Sequence, residues 1–346
     1  MHTQRSRSAR AGGSARARSN ARAIGSARTR SSARARSVLA APLAALALVA
    51  AACSPANEEP TADPSATGGA ASGEPQSIVS LAPTTTEMLF AVGAGDQVVA
   101  VDERSDYPED APATDLSGYT PNLEAILGYD PDLVVLSDDN GGIVSGLERA
   151  GVEVLLLPAA STLDDTYTQL EQVGAATGHV GEAAELVSQM RGEIDEIVAS
   201  VPERETPLTY FHELDDTYYT VTDATYVGEI YSMLGMTSVA DGSDPYPQMS
   251  EELLLEADPD VVLLADGQCC GVTPEIVAER PGWEQMTAVR ERNVYVVDED
   301  LASRWGPRGV DFLREVAGIV AEISATAGAT AGADATADAP AAQPTP

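Results

Sequence analysis

A run of hydroxyl side chains is the first group of residues able to bind a polar ligand. Pro83, Thr84, Thr85 and Thr86 lie where a predicted strand, 77–81, gives way to a predicted helix that ends at Ala91. A strand-to-helix turn of this kind offers hydroxyl groups and free backbone amides to a ligand. The same hydroxyls can also cap the helix, and the two roles are compatible.

A second candidate motif, near the C-terminal end of the chain, combines two guanidinium groups with an indole. Arg304 and Arg308 flank Trp305, which is the strongest single aromatic candidate for a ligand contact. A guanidinium binds carboxylate or phosphate through paired hydrogen bonds. The alternative is that both arginines pair with acidic side chains, which are abundant in this chain.

Tyrosine is over-represented among the aromatic residues. The chain has 11 tyrosines and 3 phenylalanines, and flat amphipathic rings suit a macrocyclic or catecholate ligand. Each tyrosine taken alone is more often a core or surface residue than a ligand contact. Tyr107, Tyr119 and Tyr246 are the ligand-contact candidates.

Histidine is scarce, which limits metal chemistry. Of the 3 histidines, His212 ends a predicted strand and is a candidate axial ligand for haem or a metal. The alternative is an ordinary polar residue at a strand end. A receptor for a bare metal ion needs several histidine and carboxylate ligands together, so no metal site is predicted.

The 3 cysteines fall into two settings. Cys53 directly follows Ala50-Ala51-Ala52, a position that resembles the lipidation site of bacterial lipoproteins. Cys269 and Cys270 are adjacent, and thiols outside the cytoplasm tend to oxidise. A disulfide between these neighbours is predicted, with free thiols or soft-metal ligation as alternatives.

The termini have the composition of targeting and linker segments. A basic region and a short apolar run before Cys53 predict a lipoprotein signal peptide over 1–52. Small and polar residues predict a disordered tether over 53–75 and a disordered tail over 325–346. The predicted mature protein is thus lipid-anchored on the extracytoplasmic face of the cell membrane.

The charge of the chain excludes several classes of partner. The chain has 54 acidic residues and 20 basic ones, all of them arginine, and half of these arginines lie in the first 52 residues. So acidic a mature body repels phosphate backbones, which excludes a nucleic-acid partner. It also repels anionic membranes, so attachment requires the lipid. A secreted hydrolase is disfavoured because no Gly-x-Ser-x-Gly motif is present, and no catalytic residue is predicted.

Strands that alternate with helices predict an α/β fold with parallel sheets. Two such lobes are expected, over 76–180 and 202–324. Between them, over 181–201, apolar residues recur at helical spacing and predict one long helix. Strands are predicted at 77–81, 98–101, 133–136, 154–157, 208–212, 218–221, 261–264 and 294–297. Helices are predicted at 83–91, 122–127, 226–234, 251–256 and 308–323, besides the long one.

The two lobes share an internal repeat. The segment 122–136 is matched by 250–264: each has a short acidic helix, then Asp-Pro-Asp, then a buried apolar strand. The match favours duplicated lobes that face each other across a cleft.

Several motifs together resemble the ferric-siderophore and vitamin B12 periplasmic binding proteins, the solute receptors of ABC importers. The motifs are the segments 80–87, 106–108, 122–124, 247–250 and 304–308. The resemblance covers about residues 76–323, and it implies two Rossmann-like lobes joined by one long helix, the class III architecture. It also implies that the ligand sits between the lobes, where the hydroxyl turn, the Arg304–Arg308 turn and the candidate tyrosines are expected.

The same resemblance implies a partner for two carboxylates. Glu124 and Glu252 match the family positions that pair with arginines of a dimeric membrane permease, and exposed charge pairs steer such association. The alternative is two ordinary solvated acids. The implied protein is a monomeric receptor without a cofactor, whose cargo is a corrinoid or a ferric siderophore. A haem receptor and a ligand sensor without a transporter are the alternatives.

Overall fold

The computed structural model describes residues 74–240, 242 and 244–337, with side chains described to residue 326. The predicted signal peptide, Cys53, most of the predicted tether and the end of the predicted tail, 338–346, lie outside these residues. The predictions about them are therefore not addressed by the structure.

The first part of the described chain forms a five-stranded parallel sheet, the first sheet, with three helices. Its elements are β1 (Ile78–Ser80), α1 (Pro83–Ala91), β2 (Val98–Asp102), β3 (Ala113–Leu116), α2 (Leu123–Leu127), β4 (Leu133–Leu136), α3 (Ile143–Ala150) and β5 (Glu153–Leu156). The strand order is β3-β2-β1-β4-β5. All four residues of β4 are buried, because a central strand of a parallel sheet is covered on both faces.

Two consecutive helices connect this sheet to the next. Helix α4 (Leu163–Thr177) starts with a capping box between Thr162 and Asp165, and α5 (Val180–Ser200) follows after one short turn. Helix α5 is the predicted connecting helix. It buries Ala183, Val187, Met190 and Ile194, which recur at helical spacing.

The second part of the chain forms a four-stranded parallel sheet, the second sheet, in the order β7-β6-β8-β9. Its elements are β6 (Leu208–Glu213), α6 (Tyr226–Met233), β7 (Met236–Ser238), α7 (Glu251–Ala257), β8 (Val261–Leu264), α8 (Gly267–Cys270), α9 (Pro274–Ala278), α10 (Thr287–Glu291), β9 (Val294–Val296), α11 (Glu299–Ser303) and α12 (Gly309–Ala337). Helix α12 packs against α5 and α6. The predicted fold class, two α/β lobes joined by a long helix, is confirmed.

The internal repeat seen in the sequence has a structural counterpart. Asn122 and Ser250 cap α2 and α7 with their side chains, and Asp130 and Asp258 both adopt the left-handed conformation at the turn that follows. Asp132 and Asp260 then accept backbone N–H bonds from Gln76 and Thr209, at 2.9 and 2.8 Å. In each case the strand that follows lies beside the first strand of its own sheet.

Three predictions about elements are wrong or incomplete. Residues 218–221 do not form a strand; Tyr219 makes only an isolated bridge with Gln248. The short strands β3 and β7 and the helices α4, α8, α9, α10 and α11 were not predicted. The last helix continues to Ala337 instead of ending at 323, because the alanine-rich segment there has a high helix propensity, so the predicted tail begins as helix.

The described part of the chain contains no helix that is both long enough and apolar enough to cross a membrane. Its largest cluster of buried apolar residues includes Met88 of α1, Val173 of α4, Met190 of α5 and Val316 of α12. Helices α1, α4, α5 and α12 therefore share one core, which fixes the segments on which the candidate site is built.

Candidate ligand-binding site

A cavity of about 670 Å³ lies at the carboxyl ends of the first-sheet strands. Its lining includes the β1–α1 turn, the residues after β2 and the residues after β4. The wall is completed by Asp300, Ser303, Arg304 and Trp305, which follow the second sheet in the chain. The carboxyl ends of parallel strands are the usual place for ligands in α/β folds, and the volume is in the range of small-molecule sites.

Only part of the hydroxyl turn, residues 83–86, lines the cavity. Pro83 and Thr84 line it, whereas Thr85 and Thr86 do not and are fully buried. The Thr85 hydroxyl donates to the carbonyl of Ala82 at 2.9 Å, and the Thr86 hydroxyl donates to Ser80 Oγ at 2.8 Å. Thr85 and Thr86, which were predicted to contact ligand, therefore lie inside the fold in this structure and not at the cavity wall, because buried hydroxyls take internal partners.

A chain of hydrogen bonds continues from this turn into the floor of the cavity. Thr86 Oγ1 is 2.8 Å from Ser105 Oγ, and the Ser105 hydroxyl donates to Asp102 Oδ1 at 2.5 Å. Burial raises the pKa of Asp102, against the opposing effect of the hydrogen bond from Ser105. These bonds fix the end of β2 against α1, so the cavity wall at Asp102 is rigid.

The two arginines of the C-terminal motif are committed to one buried carboxylate. Glu87, 2 % exposed, accepts from Arg304 Nη1 at 2.9 Å. It also accepts from Arg308 Nε at 2.9 Å and Arg308 Nη2 at 2.5 Å. Arg304 Nη2 donates further to Asp106 and Asp300, at 2.9 and 2.6 Å.

In this network Arg304 and Arg308, which were predicted to bind an anionic ligand, have acidic side chains of the protein as partners. Arg304 borders the cavity but its guanidinium already has three acidic partners, and Arg308 is not part of the lining. Both arginines pair with acidic side chains, which is the alternative that the sequence left open. The network joins α1 to the segment between α11 and α12, because Glu87 lies on α1.

Trp305 lies at the cavity as predicted and is held from behind by α4. Its indole Nε1 donates to Gln169 Oε1 at 3.1 Å, and its carbonyl accepts from the Thr166 hydroxyl at 3.1 Å. The side chain is half-buried. With the indole N–H occupied by Gln169, the ring is available to a ligand as an apolar surface.

Of the three candidate tyrosines, only Tyr119 lines the cavity. Its side chain is 79 % exposed, so its ring is free to contact a ligand. The preceding residue must be glycine, since a Cβ on Gly118 would collide with the carbonyl oxygen of Leu81. Tyr107 lies outside the lining, and its ring stacks instead beneath the Arg308 guanidinium, 4.2 Å from the ring centroid.

His212 and Tyr246, the candidates from the second lobe, are not part of the lining. His212 is 1 % exposed, and its Nδ1 is 2.7 Å from the Tyr231 hydroxyl. Burial lowers the pKa of His212 to about 4, so the imidazole is neutral. His212, a predicted ligand contact, thus lies in the interior as a polar residue of β6, which is the alternative that the sequence left open. Tyr246 is half-exposed on a loop before α7.

The second lobe has its own buried charged group, which the sequence analysis missed. Glu213, the last residue of β6, is fully buried and accepts two bonds from Arg280, at 2.6 and 2.5 Å. Asp266 follows β8 and is 1 % exposed. The sequence signal for these two residues was a carboxylate at or just after the end of a buried apolar strand. The ends of parallel strands gather at one edge of the sheet, so such carboxylates lie close together.

Asp266 makes the protein less stable at neutral pH than under mildly acidic conditions. Burial, and then the charge of Glu213, raise its pKa from 3.8 to about 7. Between these two pKa values the folded state holds a proton that the unfolded state has released. The contribution of this proton to the stability of the fold is therefore fully present below pH 4 and is lost as the pH rises through 7. We expect Asp266→Asn to stabilise the protein at pH 8 by about 2 kcal/mol and to change it little at pH 4.

Thermal unfolding of wild type and Asp266→Asn at several pH values tests this prediction. The difference in Tm between the two proteins should grow from pH 4 to pH 8. A difference that is the same at every pH would contradict the raised pKa of Asp266.

Cys269 and Cys270 are joined as a disulfide in the structure. They belong to the short helix α8, whose backbone N–H groups at Gln268 and Cys269 donate to Glu299 Oε1, at 2.5 and 2.7 Å. The paired cysteines are therefore attached to Glu299 at the start of α11, directly before Asp300, which lines the cavity. No group of three or more potential ligand residues within the described ranges is arranged to hold a metal ion.

Glu124 and Glu252 occupy equivalent exposed positions on the two lobes. Each is the second residue of a short helix, α2 or α7, and each side chain faces solvent. The buried anchor of each helix comes two residues later, at Ile126 and Leu254. The two carboxylates therefore present the same local structure twice.

With this geometry established, comparison with known proteins identifies the family. The family model of periplasmic binding proteins matches residues 78–301, which include both sheets and most of the residues that line the cavity. The chain belongs to the periplasmic binding protein family.

Relatives within this family include receptors with a stated ligand. The chain is 30 % identical over 253 residues to an uncharacterised ABC transporter substrate-binding lipoprotein, YvrC, of Bacillus subtilis, covering 70 % of this chain and 79 % of the relative. It is 30 % identical over 278 residues to a cobalamin-binding protein of Halobacterium salinarum, covering 77 % and 74 %. The solved vitamin B12-binding protein BtuF of Vibrio cholerae superposes with a TM-score of 0.60 at 26 % identity, covering 72 % and 98 %. The predicted family resemblance is confirmed.

Proposed function

We propose that this protein is the lipid-anchored receptor of an ABC importer and that its cargo is a corrinoid. It captures the cargo in the cavity beside the first sheet and delivers it to a permease dimer that recognises Glu124 and Glu252. ATP is hydrolysed on another chain, so the receptor itself performs no catalysis. Membership of the family supports the receptor role, and the relatives that bind cobalamin support the choice of cargo.

One observation carries the proposal: the cavity of about 670 Å³ combines two aromatic surfaces with a polar lining. Trp305 and Tyr119 offer flat rings to a macrocycle, while Thr84, Ser137 and Asn140 offer hydroxyl and amide groups. A corrinoid has the matching chemistry, since a flat ring carries many amide side chains at its rim. In a pocket of this kind the aromatic walls contact the ligand, and the few polar groups fix its orientation.

Calorimetric titration of the purified protein with cyanocobalamin, haemin and ferrichrome tests the proposed cargo. Saturable binding of cyanocobalamin, with weaker or no binding of the other two, is the expected result. Preferential binding of haemin would favour the haem receptor instead, with Tyr119 as the one phenol in the cavity lining able to reach an iron atom. A protein that binds ferrichrome best would be a siderophore receptor.

Removing the exposed ring of Tyr119 should weaken cargo binding without harm to the fold. We expect Tyr119→Ala to raise the Kd for cyanocobalamin by about tenfold, because an aromatic contact contributes about 1 kcal/mol or more beyond its buried area. The matched control is Tyr246→Ala, since Tyr246 is half-exposed and lies outside the cavity lining. A larger loss of affinity in Tyr246→Ala than in Tyr119→Ala would contradict the location of the site.

A further inference from the structure

Acidic residues outnumber basic residues in the lining of the cavity. The acidic residues in the lining are Asp102, Glu103, Asp106, Asp138 and Asp300, and the basic ones are Arg104 and Arg304. The lining alone is therefore acidic, although it contains two of the few arginines of the folded body.

The arginines of the network do not reverse this balance. Arg304 and Arg308 together face Glu87, Asp106 and Asp300, at distances of 2.5 to 2.9 Å. Two cations surrounded by three carboxylates leave a net negative charge, and the donors of Arg304 already point at protein oxygens. An anionic ligand would have to displace one of these carboxylates from a buried guanidinium, which is costly.

The remaining charged groups of the lining are also mainly acidic. Glu103 and Asp138 are exposed; Asp138 accepts one hydrogen bond, from the hydroxyl of the neighbouring Ser137, at 3.0 Å. Asp102 lies behind them with Ser105 as its partner. Arg104 is exposed and is the single cation on this side of the lining, so it offsets only one of these carboxylates.

We propose that this cavity selects its cargo by charge, accepting neutral and cationic chelates and rejecting anionic ones. A concave site lined by one sign of charge focuses the electrostatic potential inside it, so the selection acts on any ligand that enters. The inference rests on the proposed function for the location of the site. It does not require the cargo to be a corrinoid, because it concerns the net charge of the ligand and not its ring.

Corrinoids that share one ring and differ in charge provide the first test. Aquocyanocobinamide is a cation, cyanocobalamin is neutral, and a cyanocobalamin monocarboxylate, with one amide hydrolysed, is an anion. We expect affinity to fall in this order, with at least about a tenfold difference in Kd between cation and anion at low ionic strength. The difference should shrink as salt is added, because salt screens exposed charges.

A second panel separates charge selection from the identity of the cargo. It consists of cationic ferrioxamine B, neutral ferrichrome, trianionic ferric enterobactin, and haemin with its two carboxylates. If a cationic or neutral siderophore binds and no corrinoid does, the proposed cargo is wrong and the charge selection stands. If corrinoids bind and the anionic member binds as tightly as the cation, the cargo stands and the charge selection is wrong. Binding of ferric enterobactin or haemin, or of no probe at all, overturns the charge selection.

Charge-neutralising variants assign the selection to named residues. The double substitution Glu103→Gln and Asp138→Asn should reduce the preference for the corrinoid cation over the anion by threefold or more, whereas Arg104→Gln should increase it. The matched control is Glu182→Gln, since Glu182 is exposed on α5 and lies outside the cavity lining. An unchanged preference in the double variant, with its fold confirmed by circular dichroism, would overturn the assignment.

Discussion

Replacement of both Glu124 and Glu252 by arginine is expected to abolish import of the cargo and to leave cargo binding unchanged. The two carboxylates are exposed at equivalent places on the two lobes, and neither lines the cavity. A permease that offers an arginine at each place would face an arginine at each in the double variant, and this like-charge repulsion costs several kcal/mol and blocks docking. Each single variant keeps one docking point, so intermediate import is expected.

The measurement is uptake of radiolabelled cyanocobalamin by cells that express the receptor with its permease and ATPase, paired with calorimetry on the same purified variants. Glu148→Arg together with Glu291→Arg is the matched control. These acids are exposed, one on α3 and one on α10, and they do not share the equivalent helix positions. Import that persists in the Glu124 and Glu252 double variant, or that fails equally in the control, would contradict the docking assignment.

Glu87→Gln is expected to lower the free energy of unfolding by about 3 kcal/mol, because it removes one partner from a buried ion network. Glu87 is 1 % exposed at its side chain, and Arg304 is 8 % exposed. Glutamine keeps one acceptor oxygen for the three bonds that Glu87 receives from Arg304 and Arg308, and its NH2 group faces a guanidinium donor without the negative charge that both arginines need. The glutamine has nearly the same shape, so the loss comes from charge and not from a void.

Urea denaturation of wild type and Glu87→Gln measures this effect. Asp164→Asn is the control, since its ion pair with Arg191 is exposed on both sides and such pairs contribute about 1 kcal/mol or less. Equal stability of Glu87→Gln and wild type would mean that the network does not connect α1 to the segment before α12 in solution.

The α/β fold could be predicted from the sequence because its central strands are short apolar runs between turn residues. Leu133–Leu136 and Val261–Leu264 were both predicted with their observed bounds, and the Asp-Pro-Asp turns before them identified the duplication. The edge strands β3 and β7 escaped prediction because they are short and partly polar. Ala113–Leu116 has only one buried residue, and the pattern at 218–221 resembles a strand although the segment is held by loop contacts.

The candidate site was less predictable, because side-chain partners far apart in sequence decide what each residue does. Arg304 and Arg308 have the right chemistry for an anion, but their partner Glu87 lies 217 and 221 residues away. His212 ends an apolar strand, and only the packing of β6 against α6 determines that its ring faces Tyr231. Conversely, Trp305 and Tyr119 could be proposed because each stands in or beside a motif of the family resemblance, the turn 304–308 for Trp305 and the helix of Glu124 for Tyr119.

The most direct test of the central claim is the position of the cobalt atom in a crystal of the protein with bound cyanocobalamin, located by its anomalous scattering. The account predicts one cobalt peak inside the cavity, with the corrin ring in contact with Trp305 and Tyr119. A cobalt peak beside the second sheet near Asp266, with the cavity at the first sheet left without corrinoid, would contradict it.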